Sequence, residues 1–252
     1  TEEGVQFSQQ YMYRNGIKKF GKRGEEAASK ELDQLYRRNC FTPLDVSTLT
    51  HAEKEKAQEG LMFLSEKRDG SIKGRMVYNG KPTREWLSRE DAASPTVTTE
   101  SIMLTAVIDA KEGRDVMSGD IPNAFVQTPM PELKEGDERV ILKVTGMLVD
   151  LMVAMAPELY GPYVVFENGQ KVLYLQLLLA LYGMLIAALL WYRKFSGDLK
   201  SIGFEMNPYD PCVANRIISG SQQTVKFHVD DLMSSHKKPS VNDDFDKWLN
   251  EM

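Results

Sequence analysis

Apolar and polar positions alternate along this chain at two different periods. From Gly24 to Tyr36 the pattern predicts a surface helix with Ala27, Leu32 and Leu35 on its apolar side. Phe41-Thr42-Pro43-Leu44 reads as an extended turn. Thr50 then caps a charged helix running from His51 to about Gly60, because its hydroxyl can accept a free amide of the first turn. A hairpin follows, Met62–Lys67 and Ile72–Tyr78, joined across Asp69-Gly70. Beyond the Ser94-Pro95 break, Thr98 or Thr99 caps a helix to about Ala110, with Ile102, Ala106 and Ala110 at four-residue spacing. Asp115–Ala124 reads as a strand, and a further hairpin is expected around Arg139–Val144. Ala187–Ile202 reads as a helix with Trp191, Phe195 and Leu199 as a core stripe. Val213–Ile218 and Thr224–His228 pair across Ser219-Gly220-Ser221-Gln222. Hairpins alternating with long helices predict an α+β fold, an antiparallel sheet packed on helices.

One stretch competes with that picture. Leu173–Tyr192 holds twenty residues without a charge, long enough to span a bilayer. Its start follows a Glu167-Asn168-Gly169-Gln170 turn, as the second strand of a hairpin would, and Tyr182-Gly183 interrupts it. The flanking charges, Lys171 and Arg193-Lys194, set no strong cationic bias. A buried strand, turn and helix is the expectation, with no membrane partner.

The chain has 252 residues, 42% of them hydrophobic, enough for one large core or two modest ones. A net charge of −5 excludes a protein held on nucleic acid by bulk charge alone. The charge is uneven, however: seven cations against two anions lie between Lys67 and Arg89. That stripe reads either as a solvated hairpin or as a phosphate-facing patch. Cys40 and Cys212 are far apart and show no metal-ligand spacing, which fits a reducing compartment. Thr1-Glu2-Glu3-Gly4 carries no signal peptide and reads as the start of an excerpt from a longer chain.

The chemistry concentrates in Val225-Lys226-Phe227-His228-Val229-Asp230-Asp231. Adjacent carboxylates at the end of an apolar strand repel each other and resist burial, so they call for a counter-charge. A third, Asp120, leads another apolar run, Ile121-Pro122-Asn123-Ala124-Phe125. Carboxylates converging from two strand ends would make an oxygen-rich site suited to Mg²⁺.

Taken in order, these segments resemble the reverse transcriptase of copia-type retrotransposons over about residues 30–250. Lys67-Arg68-Asp69-Gly70 with Lys73-Gly74-Arg75-Met76-Val77 is similar to that family's fingers hairpin. Asp120 with Ala124-Phe125 is similar to its first catalytic motif. Ala180-Leu181-Tyr182-Gly183 with Trp191-Tyr192 resembles its Leu-Tyr-Gly and Trp-Tyr block. His228-Val229-Asp230-Asp231 stands where the family carries Tyr-Val-Asp-Asp. Leu179, Leu185 and Ile186 depart from the pattern, since the family usually has Lys or other polar residues there.

The resemblance implies a right-hand polymerase with fingers and palm present, and thumb and ribonuclease H missing. Residues 1–40 would be a polar connection, 41–95 the fingers and 96–252 the palm, with an insertion at about 131–170. It implies Asp120, Asp230 and Asp231 as catalytic residues holding two Mg²⁺ ions, for which Mn²⁺ can substitute: Asp120 and Asp230 would bridge the metals, Asp231 would support the site, and Ile121 would lend its carbonyl. Lys73, Arg75, Phe125, Tyr182 and Gly183 would contact the nucleotide, and His228 the primer. Partners would be an RNA or DNA template–primer, deoxynucleoside triphosphates and the rest of a Gag-Pol polyprotein. The compartment would be the cytoplasm, in virus-like particles, with the nucleus as a second site. The alternative is an inactive or domesticated fragment that binds nucleic acid or protein.

Overall fold

The computed structural model describes residues 9–252, and the elements follow one another in a mixed order. The first are β1 (Gln10–Met12), α1 (Tyr13–Phe20), α2 (Lys22–Arg37), β2 (Phe41–Pro43), α3 (His51–Lys56), β3 (Gln58–Glu66) and β4 (Ile72–Tyr78). Next come α4 (Arg89–Ala92), α5 (Thr99–Glu112), β5 (Asp115–Asp120), β6 (Ile141–Thr145), α6 (Met147–Met155), α7 (Pro157–Tyr160), β7 (Val165–Glu167) and β8 (Gln170–Leu177). The last are α8 (Ala187–Ser201), β9 (Glu205–Met206), β10 (Val213–Ile218), β11 (Ser221–His228), β12 (Asp231–His236) and α9 (Pro239–Glu251). The fold is mixed α+β, with sheets packed on helices, and it contains two sheets where one was expected.

Two compact units share the chain. The first is Thr1–Ser88 with Pro129–Ala187, and the second is Arg89–Thr128 with Ala188–Met252. The compact units are not contiguous in sequence: among the described residues, 129–187 fold with those up to Ser88, across the limits 41–95 and 96–252.

In the first unit, seven strands run β1-β3-β6-β8-β2, with β4 added on β3 and β7 on β8. β3 begins at Gln58, four residues before the apolar pattern suggests, because Gln58 and Gly60 take the buried positions ahead of Met62 and Leu64. α2 buries Gly24, Ala28, Leu32 and Leu35; Ala28 replaces the expected Ala27 on that face. The start of α3 is built as expected, and it does double duty. Thr50 Oγ1 accepts from the Glu53 amide at 3.1 Å, while Glu53 Oε2 accepts from the Thr50 amide at 3.0 Å. The same carboxylate receives Arg139 through two bonds, of 2.6 and 2.7 Å, which fastens the start of β6 to α3.

The second unit is an antiparallel sheet in the order β5-β12-β11-β10-β9. One face is apolar. Ala214, Val225, Phe227 and Leu232 share it with α8, whose Trp191, Phe195 and Leu199 are fully buried, as their spacing predicts. Phe195 stacks on Trp191 at 5.3 Å and meets the edge of Phe227 at 4.9 Å. α9 adds Phe245 to the same apolar core and is also fixed by a polar chain. Gln223 Nε2 donates to Ser234 Oγ, Ser234 Oγ to Asn242 Oδ1, and Asn242 Nδ2 to Asp115 Oδ2.

The uncharged stretch Leu173–Tyr192 divides between β8, a loop and the first turns of α8. No helix among the described residues is long and apolar enough to cross a membrane.

The Glu53–Arg139 pair makes a pH prediction. The Arg139 guanidinium holds the Glu53 carboxyl down at about 2 from its ordinary 4.5. A depressed acid stabilises the fold above its unfolded value, and that stability drains as pH falls from 4.5 toward 2. Urea midpoints measured across that window should fall for the parent chain. Glu53→Gln should start lower by on the order of 2–4 kcal/mol and show a flatter acid limb.

Candidate functional site

The second unit sets three titratable side chains in one row. Antiparallel register places His228 opposite Asp231 across β11–β12, and Asp231 opposite Asp120 across β12–β5. Directly opposed residues share a face, with Cβ atoms about 4.5–5.5 Å apart. The next rows on that face are Lys226–Met233–Ser118 and Thr224–Ser235–Val116. Asp120, Asp231 and His228 are exposed at the mouth of a 480 Å³ cleft, whose walls include Val97, Ile102 and Phe227.

Asp230 stands differently. It sits with Val229 in the two-residue turn between β11 and β12, half-buried. Of these two turn residues only Val229 has positive φ, at +57°, a costly backbone for a β-branched residue. Two hydrogen bonds hold it there: Trp191 Nε1 donates to the Val229 carbonyl at 2.7 Å, and the Ile121 amide donates to the Asp230 carbonyl at 2.9 Å. The second bond ties the end of β5 to the turn, so the three aspartates belong to one hydrogen-bonded corner. Phe125 lies in a short helical turn, Phe125–Gln127, and packs against the apolar core of this unit.

Among the described residues, no group of three or more His, Cys, Asp or Glu side chains is gathered closely enough to hold a metal ion. The Asp120–Asp231 pair is nevertheless a donor set that Mg²⁺ accepts. The ion is commonly bound through one or two carboxylates, with water and phosphate oxygens completing its shell. Like charges placed directly opposite each other across two strands also destabilise the sheet. A cation between them would relieve that cost.

The remaining expected residues lie in the first unit. Lys73 and Arg75 are on one face of β4, opposite Ser65 and Phe63 of β3. The Arg75 guanidinium stacks over the Tyr182 ring, 4.3 Å from its centroid. Burial pushes the neighbouring Glu31 carboxyl up, while the Met76 amide and the charges of Arg75 and Lys73 pull it down. Gly183 has φ +88°, and a Cβ added there would fall 2.2 Å from the Tyr78 carbonyl oxygen. A Cβ on Gly80 would fall 2.1 Å from the Gly183 oxygen. The two backbones cross in contact, pinned by the Tyr78 amide donating to the Tyr182 carbonyl at 2.8 Å. Gly183 thus has a structural duty whatever else it does.

Two features escaped sequence reasoning. Trp191 belongs to the core stripe, yet its indole N–H is also the clamp on the Asp230 turn. α5 is reversed: its expected apolar face is exposed at Ile102, Ala106 and Ala110, and its only buried residue is Asp109. The available signal was a pair of unlike charges in apolar surroundings, Asp109 within α5 and Lys226 between Val225 and Phe227. Compared with known protein-family models and with characterised proteins, the chain matches none of them.

Trp191→Phe keeps the ring stack but removes the donor to Val229. It should cost about 1–3 kcal/mol in urea unfolding and loosen the turn, read as faster amide exchange at Asp230 and Asp231. Gly183→Ala should destabilise the first unit by at least about 1–3 kcal/mol, measured in the same way, through both positive φ and the Tyr78 contact.

Proposed function

We propose that this chain is the fingers–palm part of an RNA-directed DNA polymerase of the copia-type retrotransposon class. The observation that carries the reading is the register of β5, β12 and β11. It makes Asp120 and Asp231 neighbours and puts Asp230 in the turn bonded to Ile121. The ordered motifs that resemble the family add the rest.

In this reading Asp120 and Asp231 hold Mg²⁺ from adjacent strands, Asp230 contributes from the turn, and the Ile121 carbonyl supports them. When bound, the metal lowers the pKa of the primer hydroxyl and stabilises charge on the transferring phosphate. The chain's own residues position the substrates. Arg75 and Lys73 neutralise the triphosphate, Arg75 by a planar fork that its stack on Tyr182 keeps oriented. Phe125 lies against the sugar and excludes a 2′-hydroxyl; Tyr182 and Gly183 floor the nucleotide pocket. His228, next in the row to Asp231, faces the primer end. The partners are a template–primer, deoxynucleoside triphosphates and the remainder of a Gag-Pol polyprotein, in cytoplasmic virus-like particles with the nucleus as a second site. A second reading, an inactive retroelement-derived binding module, is favoured by the missing three-ligand group among the described residues and by apolar Leu179, Leu185 and Ile186.

Primer extension on a primed RNA template with deoxynucleotides and Mg²⁺ or Mn²⁺ separates the two. Under the first reading Asp120→Asn and Asp231→Asn each lower incorporation by about a hundredfold or more while leaving template binding in place. Incorporation that survives both substitutions overturns the metal assignment. Template binding without any incorporation by the parent chain supports the second reading.

A further inference from the structure

The sheet face that carries Asp120, Asp231 and His228 also carries a second set of charges, and these are buried. Lys226 lies two residues before His228 on β11, and its side chain is 6% exposed. Its ammonium donates to Thr105 Oγ1 of α5 at 2.7 Å and lies 3.6 Å from Asp109 Oδ2. Asp109 Oδ1 stands 3.8 Å from Arg114 Nη1 and accepts no hydrogen bond among the described residues. α5 therefore docks on the sheet through Thr105 and Asp109. Its Met103, Leu104 and Val107 are each more than 60% exposed, at 63%, 63% and 64%.

Helices of globular domains ordinarily turn their apolar stripe inward. A buried ion pair is seldom more stabilising than apolar residues of the same volume. The reversal thus calls for a role other than adhesion, and position supplies one. Lys226 lines the same cleft as Asp120 and Asp231. With His228 opposite Asp231 and Met233 opposite Lys226, the lysine is the diagonal neighbour of Asp231, their backbones about 7–8 Å apart by sheet geometry. That is within the screening length at physiological salt, and burial of the lysine weakens screening further.

We propose that Lys226 is a built-in counter-charge for the Asp120–Asp231 pair, attenuated by Asp109, and that the two together set how tightly the carboxylates take a divalent cation. The inference rests on the reading of Asp120 and Asp231 as metal-holding residues. Tethered to Thr105 and Asp109, the Lys226 ammonium relieves repulsion between the carboxylates without occupying the space between them. A free cation then meets a weakened site, whereas one arriving with a triphosphate brings its own negative charge. Metal entry becomes linked to nucleotide entry.

The two partners must act in opposite directions, which a merely structural pair would not do. Mn²⁺ binding to the whole chain, followed by the electron paramagnetic resonance of the free ion, reads this without any activity. Lys226→Met should tighten binding roughly tenfold and Asp109→Asn should weaken it. Lys226→Arg, which keeps the charge, should stay within about twofold of the parent. Circular dichroism identifies any variant that does not fold; if Lys226→Met is one, Asp109→Asn against Lys226→Arg still decides. Equal affinities throughout, or shifts of the same sign in Lys226→Met and Asp109→Asn, overturn the inference. If the parent shows no Mn²⁺ binding that Asp120→Asn removes, the metal reading itself falls, and this inference with it.

Discussion

The second unit is organised by a repulsion that its own hydrogen bonds enforce. Asp120 and Asp231 are opposed because β5 and β12 pair in a single register, from Asp115↔His236 to Asp120↔Asp231. A slip of one residue would turn Leu232 toward solvent and Asp231 into the core, so the apolar face fixes the acidic one. The carboxylates are held together by the burial of Phe227, Leu232 and Val225 on the far side of the sheet. Core packing is thus converted into local charge density. The turn beside them adds strain at Val229, and the Trp191 indole from α8 over-determines it.

The first unit solves a different problem, how to bring a cation and an aromatic ring to a fixed place. The β3–β4 hairpin presents Arg75, and the loop after β8 presents Tyr182. They meet because the backbones at Tyr78–Gly80 and Tyr182–Gly183 cross with no room for a Cβ. Glycine is required there by contact as well as by dihedral angle.

Much of this was legible in the sequence where the signal is local. The Thr98 and Thr50 caps, the limits of β4 and β10, and the Trp191–Phe195–Leu199 stripe follow from periodicity and turn chemistry. What was not legible is non-local. β3 and β6 pair in parallel through Gln58–Glu59, which no local pattern announces, and that pairing draws residues 129–187 into the first unit. Apolar spacing points Ile102, Ala106 and Ala110 of α5 inward, yet that face is exposed and Asp109 is the buried residue. The inward face is decided by Lys226, 121 residues away from Thr105. In the site, the candidate residues were visible one by one. Their register, and the pairing of Asp120 with Asp231 rather than with Asp230, belongs to the sheet alone.

The path of the chain through the two units bears on how it comes to be folded. Among the described strands β5 pairs only with β12, so Asp115–Asp120 has no described strand partner until residues beyond 230 have left the ribosome. The first unit likewise waits for β6 and β8 before its central strands are covered. Such delayed pairing is slow and leaves strand edges open to other chains. The composition of β5 answers that hazard: Asp-Val-Met-Ser-Gly-Asp is too polar and too flexible to template a stack. Asp120, proposed to hold metal in the finished protein, would act beside Asp115 as a gatekeeper while the chain is still being made.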